Sequence, residues 1–532
     1  MKQLPESPNL SHLKKQAKDL LRTFEQGDPS AQQRFLASLP SVRGVDAKAL
    51  ATQELRLHDA QSCIAREYGF ASWTELKGYV AWKNVEQQDR ESIVRRWLAL
   101  VYGHGYMDPQ PKLAARLLRE RRDLVAGDPW LACAVGDEVQ LRSALGADRE
   151  WVNRAGGPLR MPPLIAVTHS GLVRDPEFTQ PLEHCAKLLL DRGADPDQSW
   201  ISPEFPDFSL SALYGAAGKN HHAVMTRILL EAGASPNDNE SLYHSVESGD
   251  LTCTRMLLDA GAVVDGTNAM GRVLDYDRIE GLRLLLKHGG NPGKRSTSIA
   301  PTGALTFPLF HAIKRGRSLA HIQLLLDFGA DVNVVNDEGM TPYRYALFQG
   351  RPEIAALVRS GNDTEAFSRE ELFVAACTRA DRAAAREFVS ADPKIFDKLS
   401  EKQLRQLPEM AAQPNLSAVR VMVEAGWPIH VTGGDWEASA LNLAVYRGQA
   451  EMADFLLAHG ASWEEKHGFG DNVVGTLSFA SRADNVETDS GDWLACAKTL
   501  IAHGMPLPPE RYEFSEEVTD YFENLREAAA TQ

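Results

Sequence analysis

The chain is 532 residues long, 43% hydrophobic and 24% charged, with 72 acidic against 57 basic residues and a net charge of −15. This length and apolar content can bury ample surface. The acidic balance argues against nucleic acid or an anionic membrane as partner, because phosphate neutralisation needs clustered Lys and Arg.

Nothing at Met1–Asn9 resembles a secretory signal, and no apolar run approaches the roughly 18 residues that cross a bilayer. The six cysteines (63, 133, 185, 253, 377, 496) lie far apart with no Cys-x-x-Cys, so small buried apolar residues in a reducing cytoplasm are expected. Residues 1–83 form a helical leader. Leu10, Leu13, Ala17, Leu20, Leu21 and Phe24 share one helix face after Pro8-Asn9, and a second helix is expected over 29–39. A third covers 55–68, and Ser72-Trp73-Thr74-Glu75 is a capping box opening a fourth. The leader carries 12 Lys and Arg against 9 Asp and Glu, which leaves −18 for the remainder. A helix–turn–helix reading of Leu55–Trp82 is disfavoured, because its second helix offers only Lys77 and Lys83 as cations. Residues 84–127 read as an irregular helical cap.

From 128 to 507 one phrase returns: an apolar triplet, two residues, then glycine. It reads Leu188-Leu189-Leu190 before Gly193, Ile228-Leu229-Leu230 before Gly233, Met256-Leu257-Leu258 before Gly261, Leu284-Leu285-Leu286 before Gly289 and Leu324-Leu325-Leu326 before Gly329. Weaker copies close at Gly361, Gly426, Gly460 and Gly504. The glycine intervals are 40, 28, 28, 40, 32, 65, 34 and 44 residues, the 65 spanning two units. A period in the low thirties marks a solenoid whose units bury their apolar faces against neighbours. Upstream of the triplets stand Thr341-Pro342-Tyr343-Arg344-Tyr345-Ala346-Leu347, Ser439-Ala440-Leu441-Asn442-Leu443-Ala444-Val445, Ser211-Ala212-Leu213 and Pro308-Leu309-Phe310-His311. Their Thr and Ser suit helix caps, and Pro342 suits a first helical position.

These phrases resemble the ankyrin repeat signature, Thr-Pro-Leu-His followed by small residues, over about eleven units. The resemblance implies helix pairs joined by finger loops and almost no regular strand. The signature histidine is mostly replaced, by Tyr214, Tyr243, Phe310, Arg344 and Asn442, so its polar tie within each unit is expected to be missing. The unit at 273–289 is short, that at 372–388 lacks its closing glycine, and that at 407–426 carries Pro414 where glycine belongs. Leader segments Leu13–Leu21 and Ile64–Phe70 resemble those of bacterial ankyrin-repeat proteins. Residues 508–532 are left as a C-terminal tail.

Catalytic signals are weak. His288, His459 and His503 sit before helix-ending glycines, where a helix C-terminus favours them. His104 and His221-His222 lack company at ligand spacing. Asp275 and Asp277 read as turn and cap residues, and Gly468–Asn472 lacks the strand and Lys-Ser/Thr of a phosphate loop. No cofactor or metal is expected, and the chain is read as no enzyme.

Tryptophans concentrate near the C-terminus: Trp427, Trp436, Trp463 and Trp493. Trp436 and Trp463 fall in finger loops, as does Trp200 earlier, with Asp435, Asp471 and Asp492 close by. An indole beside carboxylates on a protruding loop has the anatomy of an interface hot spot. Its alternative is a seal over long loops. If these fingers bind, Trp436 and Trp463 should be largely exposed, with Asp435 and Asp471 on one side. The reading is thus an all-α ankyrin solenoid with a helical leader, a cytoplasmic scaffold binding an unknown protein, a basic one being the candidate, through Trp200, Asp435, Trp436, Trp463, Asp471, Asp492 and Trp493. The alternatives are a regulatory or immunity-type subunit masking a basic target, or an enzyme with its site in 84–127 or 466–492.

Overall fold

The computed structural model describes residues 2–5, 7–53, 55–84, 89–104, 108–204, 206–238, 240–295, 307–361, 366–482, 491–509 and 512–530. The chain folds into two compact units, residues 1–238 and 239–532, a division that falls within the 128–507 repeat stretch.

The first unit opens with helices Leu10–Glu25, Pro29–Ser38, Leu57–Glu67 and Trp73–Lys83. Each begins where local chemistry directs. The Asn9 side chain accepts from the His12 N–H, Asp28 accepts from Ser30 ahead of Pro29, and Ser72 accepts from Glu75. Their apolar faces meet in a core of Leu13, Ala17, Leu20, Phe35, Ile64 and Leu76. Helices Arg90–Tyr102 and Pro111–Glu120 follow, joined by the buried Trp97, whose indole N–H donates to the Ala114 carbonyl at 3.0 Å. Three pairs complete the unit: Pro129–Val135 with Glu138–Ala147, Pro163–Thr168 with Pro176–Asp191, and Tyr214–Lys219 with Ala223–Glu231. Tyr214–Lys219 is a π-helical turn. The first helices of successive pairs pack on one another, and so do the second helices.

The second unit continues the pattern from Ser241–Ser245 with Thr252–Asp259 through Ala269–Asp275 with Ile279–Lys287, Pro308–Lys314 with Leu319–Asp327, and Pro342–Phe348 with Pro352–Val358. Beyond these come Arg369–Thr378 with Arg382–Ala391, Gln406–Ala412 with Leu416–Ala425, Ala440–Tyr446 with Ala450–Ala458, and Val473–Ala480 with Trp493–Ala502. Among the described residues the regular strands are two short hairpins. Ser199–Ile201 pairs with Ser209–Ser211 in the first unit, and Thr432–Gly433 with Ala438–Ser439 in the second.

The repeated phrase divides its labour cleanly. The middle leucines Leu189, Leu229, Leu257, Leu285 and Leu325 are all 0% exposed. The glycines at 193, 233, 261, 289, 329, 426, 460 and 504 share a left-handed φ between 88° and 101°, the conformation that ends a helix and that side chains resist. Gly361, the weakest copy, is absent from that set. The polar tie expected to be missing is rebuilt at Asn442. Its amide donates to the Ser439 hydroxyl (3.1 Å) and the Glu465 carbonyl (3.0 Å), and its oxygen accepts from Thr476 (2.6 Å). The C-terminal tail is more ordered than its sequence suggested. Helix Glu516–Ala530 packs on Trp493–Ala502 and buries Val518 and Phe522 in the second unit's core. All six cysteines are buried thiols, and burial pushes Cys63 up to about 11, well away from thiolate reactivity.

Candidate interaction surface

The hairpin that carries Asp435 and Trp436 turns on Gly434, whose φ is +70°. From this tip a chain of rings extends in both directions. Trp436 meets His467 edge-on at 5.0 Å between centroids, and His467 meets Phe469 at 5.9 Å. On the other side Trp436 contacts Tyr446 at 5.6 Å, and Tyr446 stacks nearly parallel on Phe479 at 6.4 Å. Arg447 lies over Tyr446 and Arg482 over Phe479, at 6.0 and 5.7 Å. Two backbone bonds fix the strip: Gly468 N–H to the Trp436 carbonyl at 2.9 Å, and His467 N–H to the Asp471 carbonyl at 3.0 Å. Phe469 is 83% exposed and Phe479 47%. The strip therefore runs from one loop tip, across a hairpin, to the ends of two successive first helices.

Three of its five rings lay outside the sequence reading, and Phe469 entered it only within the loop Gly468–Asn472. Tyr446 and Phe479 stand 33 positions apart, each in the last turn of a first helix. Looking for aromatics at one repeat register would have found them.

The residues singled out from the sequence fare differently. Trp436 and Trp463 are half-buried and pack against the core cluster, as does Trp493. Large exposure is therefore not what these rings show. An indole at a short hairpin gains more from resting one face on the helices below than from standing free. Trp493 donates from its ring to the Tyr446 carbonyl (3.4 Å), bracing the strip from behind. Trp427 is a core residue, 3% exposed, donating to the Leu404 carbonyl at 2.8 Å. Trp200 belongs to the first unit, half-buried, with its indole donating to Leu159 at 3.2 Å.

The three aspartates have internal duties. Asp492 caps its helix by accepting from Ala495, and Asp471 accepts from the Tyr512 hydroxyl at 2.7 Å. Asp435 reaches back to helix Pro308–Lys314, taking Lys314 at 2.7 Å and Arg315 at 2.9 Å. Arg315 in turn holds Asp275 at 2.7 Å, which also accepts from His311 at 2.8 Å. Burial alone would raise the Asp435 carboxyl, but the two cations hold it well below the usual range. Burial opposes ionisation of Asp275 too, yet the His311 bond and the Arg315 charge bring it down to about 2. Asp275 is thus more than the turn residue its sequence suggested: it anchors one first helix to the next. Asp277 pairs with Arg317 at 3.0 Å.

The histidines read as structural from sequence also act structurally. His459 bonds the Phe455 carbonyl at 2.8 Å and His288 the Leu284 carbonyl at 3.0 Å. His222 accepts from Met225 at the start of its helix, and His104 pairs with Glu204. Among the described residues, no three His, Cys, Asp or Glu gather as a metal site would require. No helix there is long and apolar enough to cross a membrane.

Comparison with known proteins agrees with this architecture. Residues 269–367 match the family model "Ankyrin repeats (3 copies)". A human protein, "SH3 and multiple ankyrin repeat domains protein 2", is 26% identical over 167 residues, 29% of this chain and 9% of that protein. "Ankyrin repeat, SAM and basic leucine zipper domain-containing protein 1" of Otolemur garnettii is 30% identical over 125 residues, covering 22% of this chain and 25% of its own length. The human ASB11 ankyrin repeat domain superposes with a TM-score of 0.32 at 20% identity, over 44% of this chain and 98% of that one. The chain thus spans a small part of the curated relatives it matches. Residues 269–367 carry ankyrin repeats, a class of module that generally mediates protein–protein interaction.

Proposed function

We propose that the protein is a non-catalytic, cytoplasmic interaction scaffold. Its helix pairs are ankyrin-type solenoid units, about eleven in number, and it holds a protein partner on the second unit's C-terminal fingers and first-helix ends. The observation that carries this reading is the aromatic strip Phe469–His467–Trp436–Tyr446–Phe479. A contiguous set of rings, exposed at Phe469 and Phe479, half-buried between them and braced by backbone bonds, is pre-organised, and aromatic side chains gain most when a partner desolvates them. The nearby carboxylates are engaged within the chain. A basic partner therefore draws support from the net charge of −15 more than from these residues, and recognition rests on ring faces. The resemblance of the leader to bacterial ankyrin-repeat proteins is what supports a bacterial origin.

Tagged protein purified from its native host should retain a specific partner, identified by mass spectrometry. The double variant Trp436→Ala with Phe479→Ala should lose that partner while keeping its helical circular dichroism. Undiminished capture by the folded double variant would place the binding surface elsewhere, with Trp200 and its hairpin the next surface to alter.

A further inference from the structure

Within the first unit, the leader module and helix Pro111–Glu120 enclose an open cavity of about 590 Å³, within the roughly 300–1,000 Å³ typical of small-ligand sites. Three cations, Lys2, Lys83 and Arg116, and three rings, Tyr68, Phe70 and Tyr79, line it together with the extended segment Gln3–Pro5. Among the described residues no carboxylate lines it. The acids that hold these cations sit outside the lining: Glu67 on Lys2 at 2.6 Å, Glu120 on Lys83 at 3.2 Å and Glu75 on Arg116 at 3.5 Å.

This arrangement differs from an ordinary surface ion pair, where acid and base meet solvent together. Glu67 and Glu75 are each 10% exposed, so they fix Lys2 and Arg116 from beneath, while Glu120 is 36% exposed and also accepts from the Tyr79 hydroxyl at 2.9 Å. Arg116 is further held by donating to the Gly69 carbonyl, with its guanidinium 3.7 Å from the centre of the Phe70 ring. Lys83 lies 5.6 Å from the centre of Tyr79 and Lys2 5.8 Å from that of Tyr68. Positioned cations lose little further side-chain entropy when an anion arrives. The surrounding module is also basic within an acidic chain, with 12 Lys and Arg against 9 Asp and Glu in residues 1–83.

We propose that this cavity binds the phosphate of a small phosphomonoester, its three cations facing the anion and its rings facing an aromatic body such as a nucleobase. A phosphate carries about −1.5 to −2 charges and three strong acceptor oxygens, which suits several convergent donors better than one carboxylate does. The guanidinium fork adds bidentate geometry.

Adenosine monophosphate, adenosine and inorganic phosphate are titrated into the full chain by calorimetry, with the unfolding temperature as a second readout. AMP should bind saturably and raise the unfolding temperature, and adenosine should do neither. AMP binding more tightly than inorganic phosphate identifies an aromatic phosphomonoester as the occupant, and equal affinities identify free phosphate; both outcomes support the site. Lys2→Gln with Lys83→Gln should weaken AMP at least tenfold. Gln3→Glu, at an exposed position, adds a negative charge to the lining and should weaken AMP without touching any packed side chain. The proposal is overturned if AMP and phosphate both fail to bind, if adenosine binds as well as AMP, or if folded Gln3→Glu binds AMP unchanged.

Discussion

Two stretches of the second unit use one scaffold to opposite ends. Around Pro308–Phe348 the repeat is at its cleanest: Leu309, Phe310, Leu324 and Leu325 are buried, and Gly329 ends its helix with a φ of 91°. Around 432–482 the helices pack equally well, with Leu441, Val445, Leu456 and Leu477 at 0% exposure. Yet that stretch also carries Phe469 and Phe479 out into solvent and a hairpin bearing Trp436. The difference lies in the finger loop at 467–469 and in the solvent faces of first-helix ends such as Phe479, which the stack does not bury. The buried apolar positions specify the stack, and the surface between them is left for recognition.

The largest expected effect tests the periodic side. Leu325→Ala removes a fully buried side chain and should cost roughly 2–5 kcal/mol. Because each pair of helices leans on its neighbours, hydrogen exchange should rise in the helices between about 308 and 358. The leader core around Leu13 and Phe35 should keep its protection. Loss of protection throughout the chain would replace the picture of local coupling with a single cooperative core.

A pH experiment probes the same framework through His244, whose ring pairs with Glu247 at 3.0 Å and Glu240 at 3.3 Å. Burial would lower its pKa, but the two glutamates overcome this and raise it to about 9. A raised histidine stabilises fully below its unfolded value near 6.5, and the contribution fades as pH climbs through 9. At about 1.4 kcal/mol per unit, trimmed for partial exposure, the loss should be on the order of 2 kcal/mol. Denaturation at pH 6 and pH 9.5 measures it. His244→Gln should flatten that slope, and a slope unchanged in the variant would assign it to another group.

Asp435→Asn sits at the junction between framework and finger. It keeps the shape but removes the charge that Lys314 and Arg315 grip. With the carboxylate 39% exposed, the cost should be about 1 kcal/mol, since solvent screens much of the pairing. Exchange should quicken in 432–439 specifically. Acid should mimic the variant. The depressed carboxyl contributes fully above its unfolded value near 3.9 and loses that contribution as pH falls through its lower folded value.

How much of this was legible follows the same division. The leucine triplets, their glycines, and the Thr341, Ser211 and Ser439 caps were readable because each repeats and each answers to local physics. The strip was not. His467, Tyr446 and Phe479 gain their meaning from ring contacts between units, which no local window contains. Asp435 misled for a similar reason: its partners Lys314 and Arg315 lie some 120 positions earlier. The tail helix at 516–530 was passed over because it follows no repeat phrase, although Val518 and Phe522 share a helical face.

The smallest expected effect on stability is the sharpest test of the aperiodic side. Phe469 is 83% exposed and meets His467 edge to face at 5.9 Å. Phe469→Ala should therefore shift the unfolding midpoint by no more than about 0.5 kcal/mol. A framework ring of the same size, such as the fully buried Phe373, should cost roughly 3–5 kcal/mol on truncation. Partner binding should reverse this order at the finger: Phe469→Ala should release the partner faster, by a factor of about ten or more if the ring is a hot spot. Surface plasmon resonance with the captured partner reads that rate directly. The net charge of −15 steers a basic partner from a distance, so added salt should slow association while leaving the release rate little changed. A release rate that climbs steeply with salt, or one unaltered by Phe469→Ala, would move recognition away from the exposed rings.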